Sequence, residues 1–453
     1  MQIDVLVAEI GSTTTIVNAF DGLGGATPRF LGQGKSPTTV LDGDVCIGLQ
    51  QAMDDLCAAL GEPHLSYRTM LATGSAAGGL RMSVHGLVPD MTVRAAQAAA
   101  LGAGAIVVRT TAGLLTPLDI EELQADRVNL ILLAGGTDYG ERETAMQNLT
   151  RLYESGVKTP IIYCGNIQNQ TAVQRLAKAY DAPLSVTENV YPRLDELNIA
   201  PVRTCIHTQF EAHIVRAPGM THIRELVNGA ILPTPGSVML AAQLLADEIG
   251  DLCMLDIGGA TSDVHSVTDG SDEFASLLTA PEPRAKRTVE GDLGLYINAH
   301  NLVARIGTDV LNRELSIDTD AVMASYRPIP QTDAQMRLTE RLCLEAGRVA
   351  LDRHAGRLRH LYTPQGRRTI AEGKDLSAIR YLIGTGGALT RLPHREAILR
   401  EIADCNTNHM RLFPRPGAVK LLFDHDYIAA SVGVLSKSEP EGALRLLKAS
   451  LHL

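Results

Sequence analysis

Tryptophan is absent from this chain and aromatics make up only 4 % of it, so a stacking platform for single-stranded nucleic acid has little to be built from. A basic excess is missing as well. Asp and Glu number 51 against 41 Lys and Arg, a net charge of −10, whereas a phosphate backbone or an anionic membrane surface asks for a positive footprint. Paired cysteines are missing: the seven fall at 46, 57, 164, 205, 253, 343 and 405, with no C-x-x-C among them. They read as reduced thiols at apolar helix or strand positions, which disfavours an iron–sulfur centre or a closely spaced zinc set. The longest uncharged stretch, between Arg94 and Arg109, is Ala- and Gly-rich and too short to cross a bilayer. The chain opens on a strand pattern with no secretory leader. The expectation is a cytoplasmic protein with neither nucleic acid nor membrane as partner.

What is present is an ordinary globular balance, 45 % hydrophobic and 20 % charged, over 453 residues, enough for two or three domains. The most informative stretch is Met254 to Val267, M-L-D-I-G-G-A-T-S-D-V-H-S-V. An apolar run carries Asp256 near its end, breaks at Gly258-Gly259 and resumes at Val264, which predicts a hairpin with a glycine tip. Bare backbone N–H groups there, with the Thr261 and Ser262 hydroxyls, form a concave donor nest suited to phosphate oxygens. Asp256 and Asp263 flank it, and carboxylates beside phosphates point to a hydrated Mg²⁺. The same design opens the chain: strand residues Ile3 to Ile10 carrying Glu9, a tip at Gly11-Ser12-Thr13-Thr14-Thr15, and a return strand from Ile16 to Phe20. One such hairpin is weak evidence, because Gly and Thr are common turn residues. Two in the same order predict two similar domains facing each other across one nucleotide.

Between them, a third strand at Arg29 to Lys35 and a helix starting near Asp42 complete the opening of a ribonuclease-H-like half. Apolar runs at Met70–Thr73, Asn129–Ala134 and Pro160–Cys164 then alternate with helical stretches, which predicts a parallel sheet. Its strand-end loops at Thr73–Gly79, Gly135–Asp138 and Gly165–Asn169 either face a ligand or partner or are plain tight turns. Pro233 to Gly236 reads as a break with Ser237 capping the next helix, and the domain switch falls near residue 250. Thr288-Val289-Glu290-Gly291-Asp292-Leu293-Gly294 places carboxylates around a glycine that reach either the nucleotide and its metal or only solvent. Residues 295–360 read as mostly helical. Gly386-Gly387 follow a strand and leave bare backbone for an adenine or ribose. Asp424 to Ser436 reads as a helix with a small-residue face, Ala429 to Gly433. The expected organisation is α/β: a first half over 1–250 holding the insertion at about 85–230, and a second half over 251–453 closed by the 424–436 helix.

Together these motifs resemble the superfamily of actin, sugar kinases and chaperone ATPases. Glu9–Thr15 is similar to its first phosphate motif, Asp256–Asp263 to its second, Gly384–Leu389 to its adenosine motif, and Ala429–Gly433 to its second connecting helix. The first motif departs from the usual pattern in carrying Glu9 where that superfamily has Asp. A narrower resemblance rests on A-E-I-G-S-T-T-T, G-S-A-A-G-G-L-R-M (74–82), L-A-G-G-T-D (133–138), L-D-I-G-G-A-T-S-D-V-H-S-V and T-V-E-G-D-L-G (288–294). In order, and over most of the chain, these resemble the MutL family of proteins encoded with adenosylcobalamin-dependent mutases, chiefly glutamate mutase. That family is unrelated to the mismatch-repair protein of the same name.

The resemblance implies two actin-like ATPase halves around a nucleotide cleft, and a slow, chaperone-type ATPase that reactivates a mutase holding a damaged cobalamin. ATP or ADP with Mg²⁺ is the expected cofactor, and the mutase subunits are the expected partners. Gly11, Ser12, Thr13, Thr14, Gly258, Gly259, Thr261, Ser262, Glu290, Gly386 and Gly387 are the expected nucleotide contacts. Glu9, Asp256 and Asp263 would hold the metal's waters, with Asp256 and Glu9 as the catalytic pair. The alternative is a small-molecule kinase of the same fold, in which Glu290 or Asp292 serves as base. Self-association is left open.

Overall fold

A computed structural model describes the chain except for residues 1, 12, 40–42, 75–79, 104, 215–221, 230 and 364–365. Ser12, Asp42 and the 75–79 part of the first strand-end loop therefore lie outside the described residues.

The chain starts with three antiparallel strands, β1 (Gln2–Ile10), β2 (Thr14–Asp21) and β3 (Arg29–Pro37). The helix Val45–Leu60 follows, capped by the Asp44 side chain, which accepts from the Cys46 amide. It packs on β3 so closely that a Cβ at Gly34 would lie 2.0 Å from the Ala52 carbonyl oxygen. Strand β4 (Ser66–Gly74) then lies parallel to β1.

Here the chain leaves for an insertion of five strands, β5 (Arg81–Gly86), β6 (Ile106–Ala112), β7 (Leu130–Leu133), β8 (Ile161–Tyr163) and β9 (Leu184–Val186). They form one all-parallel sheet in the order β6-β5-β7-β8-β9. The apolar, doubly covered β7 and β8 sit at and beside its middle, as parallel sheets require. The edge strands β6 and β9 are half-buried and carry little of the apolar signal that marks β7.

The chain returns through the helix Ala200–Ile214 to β10 (Ile231–Pro233), parallel to β4. The first sheet is thus β10-β4-β1-β2-β3. The break expected at 233–236 is instead a strand end running directly into the helix Thr234–Ile249. Pro235 fits its first turn, where the missing N–H has no helical partner to lose.

The second half repeats the first. Strands β11 (Leu252–Ile257), β12 (Ser262–Val267) and β13 (Ala285–Glu290) are antiparallel neighbours. After several helices, the longest Asp333–His354, comes a hairpin of β14 (Arg357–Thr363) and β15 (Gly366–Glu372). Strands β16 (Tyr381–Thr385) and β17 (Lys420–Phe423) then add parallel to β11. The order β13-β12-β11-β16-β17 matches the first sheet strand for strand and direction for direction. The fold is therefore a pair of ribonuclease-H-like, actin-like halves with an inserted α/β sheet.

The helix Ala429–Leu435 closes the molecule against Thr234–Ile249. It starts at Ala429 because Asp424 caps it, accepting from the amides of Ile428 and Ala429. Gly433 lets the two helices touch backbone to backbone: a Cβ there would stand 1.8 Å from the Ser237 oxygen. Their apolar faces, with Val5, Val7 and Phe20 from one sheet and Met254, Val267 and Ile383 from the other, form a single core between the halves. Among the described residues no helix is long and apolar enough to cross a membrane.

Candidate functional site

Both glycine tips close with the same hydrogen bond. The Gly11 amide donates to the Thr14 carbonyl at 3.0 Å, and the Gly258 amide to the Thr261 carbonyl at 3.0 Å. The tips meet: a Cβ on Gly259 would lie 3.3 Å from the Thr13 hydroxyl. Sequence-distant halves therefore bring two bare-backbone turns to one place. Each turn is preceded, two residues earlier, by a carboxylate at the end of its central strand, Glu9 in one half and Asp256 in the other.

Glu9 is buried, and its Oε1 accepts from Asn18 Nδ2 at 3.1 Å and from the Ser431 hydroxyl at 2.6 Å. Burial, reinforced by the charges of Asp424 and Asp256, pushes it up to about 7 against the Ser431 hydrogen bond. Asp256 keeps a little solvent contact yet is walled in by protein, and burial together with Asp263 and Asp424 pushes it up to about 7 as well. Two carboxylates held partly protonated near neutral pH mark a place suited to a cation. Among the described residues no three His, Cys, Asp or Glu side chains converge to chelate one directly. A magnesium ion arriving with nucleotide, most of its ligands being phosphate and water, fits that arrangement.

Gly386 has φ +81°, and a Cβ there would lie 2.4 Å from Asp256 Oδ1, so only glycine suits the position. Its neighbour Gly387 faces open space. Together they begin the helix Gly386–Arg391 beside Asp256.

The remaining sequence-selected residues divide. Thr13 and Thr14 lie half-buried at the first tip. The Ser262 hydroxyl turns inward to the Leu293 carbonyl, and the Thr261 hydroxyl donates to Asp263. Asp263 is buried in a 2.6 Å ion pair with Arg287. Arg287 also donates to the carbonyls of Leu101 and Ala105 at 3.0 and 3.3 Å, at and just beyond the C-terminal end of the inserted helix Arg94–Gly102. Glu290 sits next to Ser262 in register and is gripped with Asp292 by Arg353. Burial raises Glu290, whereas the Arg353 hydrogen bond holds Asp292 low. The following turn wraps the second tip: Leu295 donates to Gly258, Tyr296 and Ile297 donate to Gly259, and Gly294 leaves no room for a Cβ against the Ala260 carbonyl.

A family sequence model described as MutL protein matches residues 5–451. This chain belongs to the MutL family. The curated Protein MutL of Clostridium tetanomorphum is 37 % identical over 462 residues, covering 98 % of both chains. Among solved structures the chain is similar to a nucleotide-free acetone carboxylase at 13 % identity and TM-score 0.42, covering 96 % of this chain and 70 % of that one. It is also similar to a nucleotide-free diol dehydratase-reactivating factor at 11 % identity and TM-score 0.36, covering 100 % and 99 %. At those scores the duplicated strand order, not the superposition, carries the fold.

The site of this MutL-family chain is also held by residues outside its sequence motifs. Asn18 and Ser431 fix Glu9, Asp424 links Thr385 to the closing helix, and Arg287 and Arg353 clamp the second half's acids. Asn18, polar between Val17 and Ala19 in a strand buried on both faces, carries a readable sign of a polar residue placed inward. The arginines carried no local sign.

Proposed function

We propose that this MutL-family protein binds MgATP between its two glycine tips and hydrolyses it to drive reactivation of an adenosylcobalamin-dependent mutase. The observation that carries this reading is the meeting of the two tips at Thr13 and Gly259, above Glu9 and Asp256. Backbone amides of both tips, with Thr13 and Thr14, hold the phosphates. Glu9 and Asp256 face the metal's waters, and Asp256 orients the attacking water. The metal, when bound, neutralises phosphate charge, and the chain supplies positioning. Asp263, with both oxygens engaged, serves by holding Arg287 rather than by reaching the ligand.

Loss of the γ-phosphate removes contacts that both halves share. Shifting two states from 1:99 to 99:1 takes about 5.5 kcal/mol, which two or three charge-assisted hydrogen bonds at roughly 1.5–3 kcal/mol each supply. Arg287 passes the change at the second tip to the inserted sheet. Glutamate mutase is the first candidate enzyme, on family grounds. The test is phosphate release from ATP by the purified chain, paired with recovery of activity by cobalamin-inactivated glutamate mutase. ATP-dependent recovery supports the reading. Transfer of phosphate to a small acceptor in place of water would support the kinase alternative.

A further inference from the structure

Several large exposed apolar side chains share one edge of the inserted sheet. Val88, Leu114, Leu118, Tyr139, Ile167 and Leu194 are all exposed, and all follow the carboxyl ends of the inserted parallel strands. Val88 follows β5, Leu114 and Leu118 follow β6, Tyr139 follows β7, Ile167 follows β8 and Leu194 follows β9. In a parallel sheet these ends share one edge, so the five loops form a row about 19 Å across. Isolated exposed apolar residues are unremarkable, but a row on one edge is a recognition surface.

The row stands on a rigid base. The Gly113 amide donates to Gly86, Asp138 to Pro192, and Ile167 to the Asp138 carboxylate, so neighbouring loops are laced to each other. Asn189 Nδ2 ties Gly136 and Asp138 together, and Asn166 Nδ2 donates to Gly140 and Glu141. Tyr139, 77 % exposed, sits in the left-handed region at φ +63°, with its amide 3.3 Å from Asn166 Oδ1. An aromatic presented outward on a strained, fixed backbone loses little entropy on binding.

The charge around the row is acidic. Asp90, Glu121, Glu141, Glu143 and Asp195 are exposed there. The exposed cations, Arg142 and Arg193, are engaged locally, Arg142 with Asn169 and Arg193 with Glu196. An apolar row interspersed with acidic side chains is complementary to a protein surface that is apolar and carries lysines and arginines.

We infer that the carboxyl edge of the inserted sheet is the docking surface for the enzyme this protein serves, and that the matching face of that enzyme is apolar and carries basic residues. This rests on the proposed role, and the test separates the two. Purified adenosylcobalamin-dependent mutase subunits are titrated against the full chain and against a Leu118→Glu, Tyr139→Glu, Leu194→Glu triple variant. The expected result is wild-type binding that weakens as salt is raised, loss of at least about tenfold in affinity in the variant, and unchanged ATP turnover. Equal affinity of wild type and variant overturns the surface and leaves the role standing. No binding by wild type overturns both. Self-association of the wild type abolished by the same substitutions assigns the edge to a second copy and overturns the inference. If the triple variant does not fold, Tyr139→Ala and Leu194→Ser are measured singly against the same outcomes.

Discussion

The two tips share a backbone but not a support. At the first, Glu9 is held by neutral donors, and one of them, Ser431, belongs to the closing helix. At the second, Asp256 stands near Asp263, which a buried arginine pairs and connects to the inserted sheet. Equal turns are thus tied to different elements: the first to the closing helix between the halves, the second to the insertion. Duplicated folds can keep one chemistry in both copies while the second layer of contacts diverges.

The contrast is broken most forcefully at Arg287. Arg287→Met strands the Asp263 carboxylate in the interior and should cost about 3–5 kcal/mol in chemical denaturation. The double variant with Asp263→Asn should recover a large part of that, and a strictly additive double would show that the pair is not coupled. Next in size, Asp256→Asn should cut ATP turnover by roughly 10²-fold or more while calorimetry still detects nucleotide. Near-wild-type turnover would move the catalytic role to the first half.

The pH dependence comes third. Glu9 and Asp256 stand near 7 in the fold against roughly 4 when unfolded. The stability they contribute is fully present below the unfolded value and is lost as pH rises through 7. The thermal midpoint of the nucleotide-free protein should therefore fall between about pH 5 and pH 8. Glu9→Gln should flatten that fall, and so should MgATP. A profile unaffected by Glu9→Gln would show that the first-half acid is already ionised. The smallest effect is expected from Ser431→Ala, about 1 kcal/mol, with turnover altered more than stability if Ser431 links the tip to the joint.

Much of the fold was legible because its signals are local. The glycine tips, the acids two residues ahead of them and the apolar runs of β7 and β8 are each contained in a dozen residues. That the chain holds two similar halves followed from the repeated hairpin. What escaped was short or distant. Strand β10 spans only Ile231–Pro233 and exists because β4 offers it an edge. The β14–β15 hairpin overlaps the expected helical stretch only at residues 357–360, and its charged, exposed strands lack an apolar alternation to mark them. Ser431 meets Glu9 across 422 positions, and no local pattern encodes such a contact. Thr261 and Ser262 are, by residue type, hydroxyls at a turn. The fold directs both onto protein acceptors, a choice made by the side-chain direction and not by residue type.

Gly433 against Ser237 has a mechanical meaning. Two helices in backbone contact cannot be pulled apart without opening a void, but they can turn over one another. Their crossing would act as the rivet of a pair of shears: small rotations there become long arcs at the far rim. The inserted sheet grows from one blade and is pinned by Arg287 to the other, so it would be twisted at each stroke.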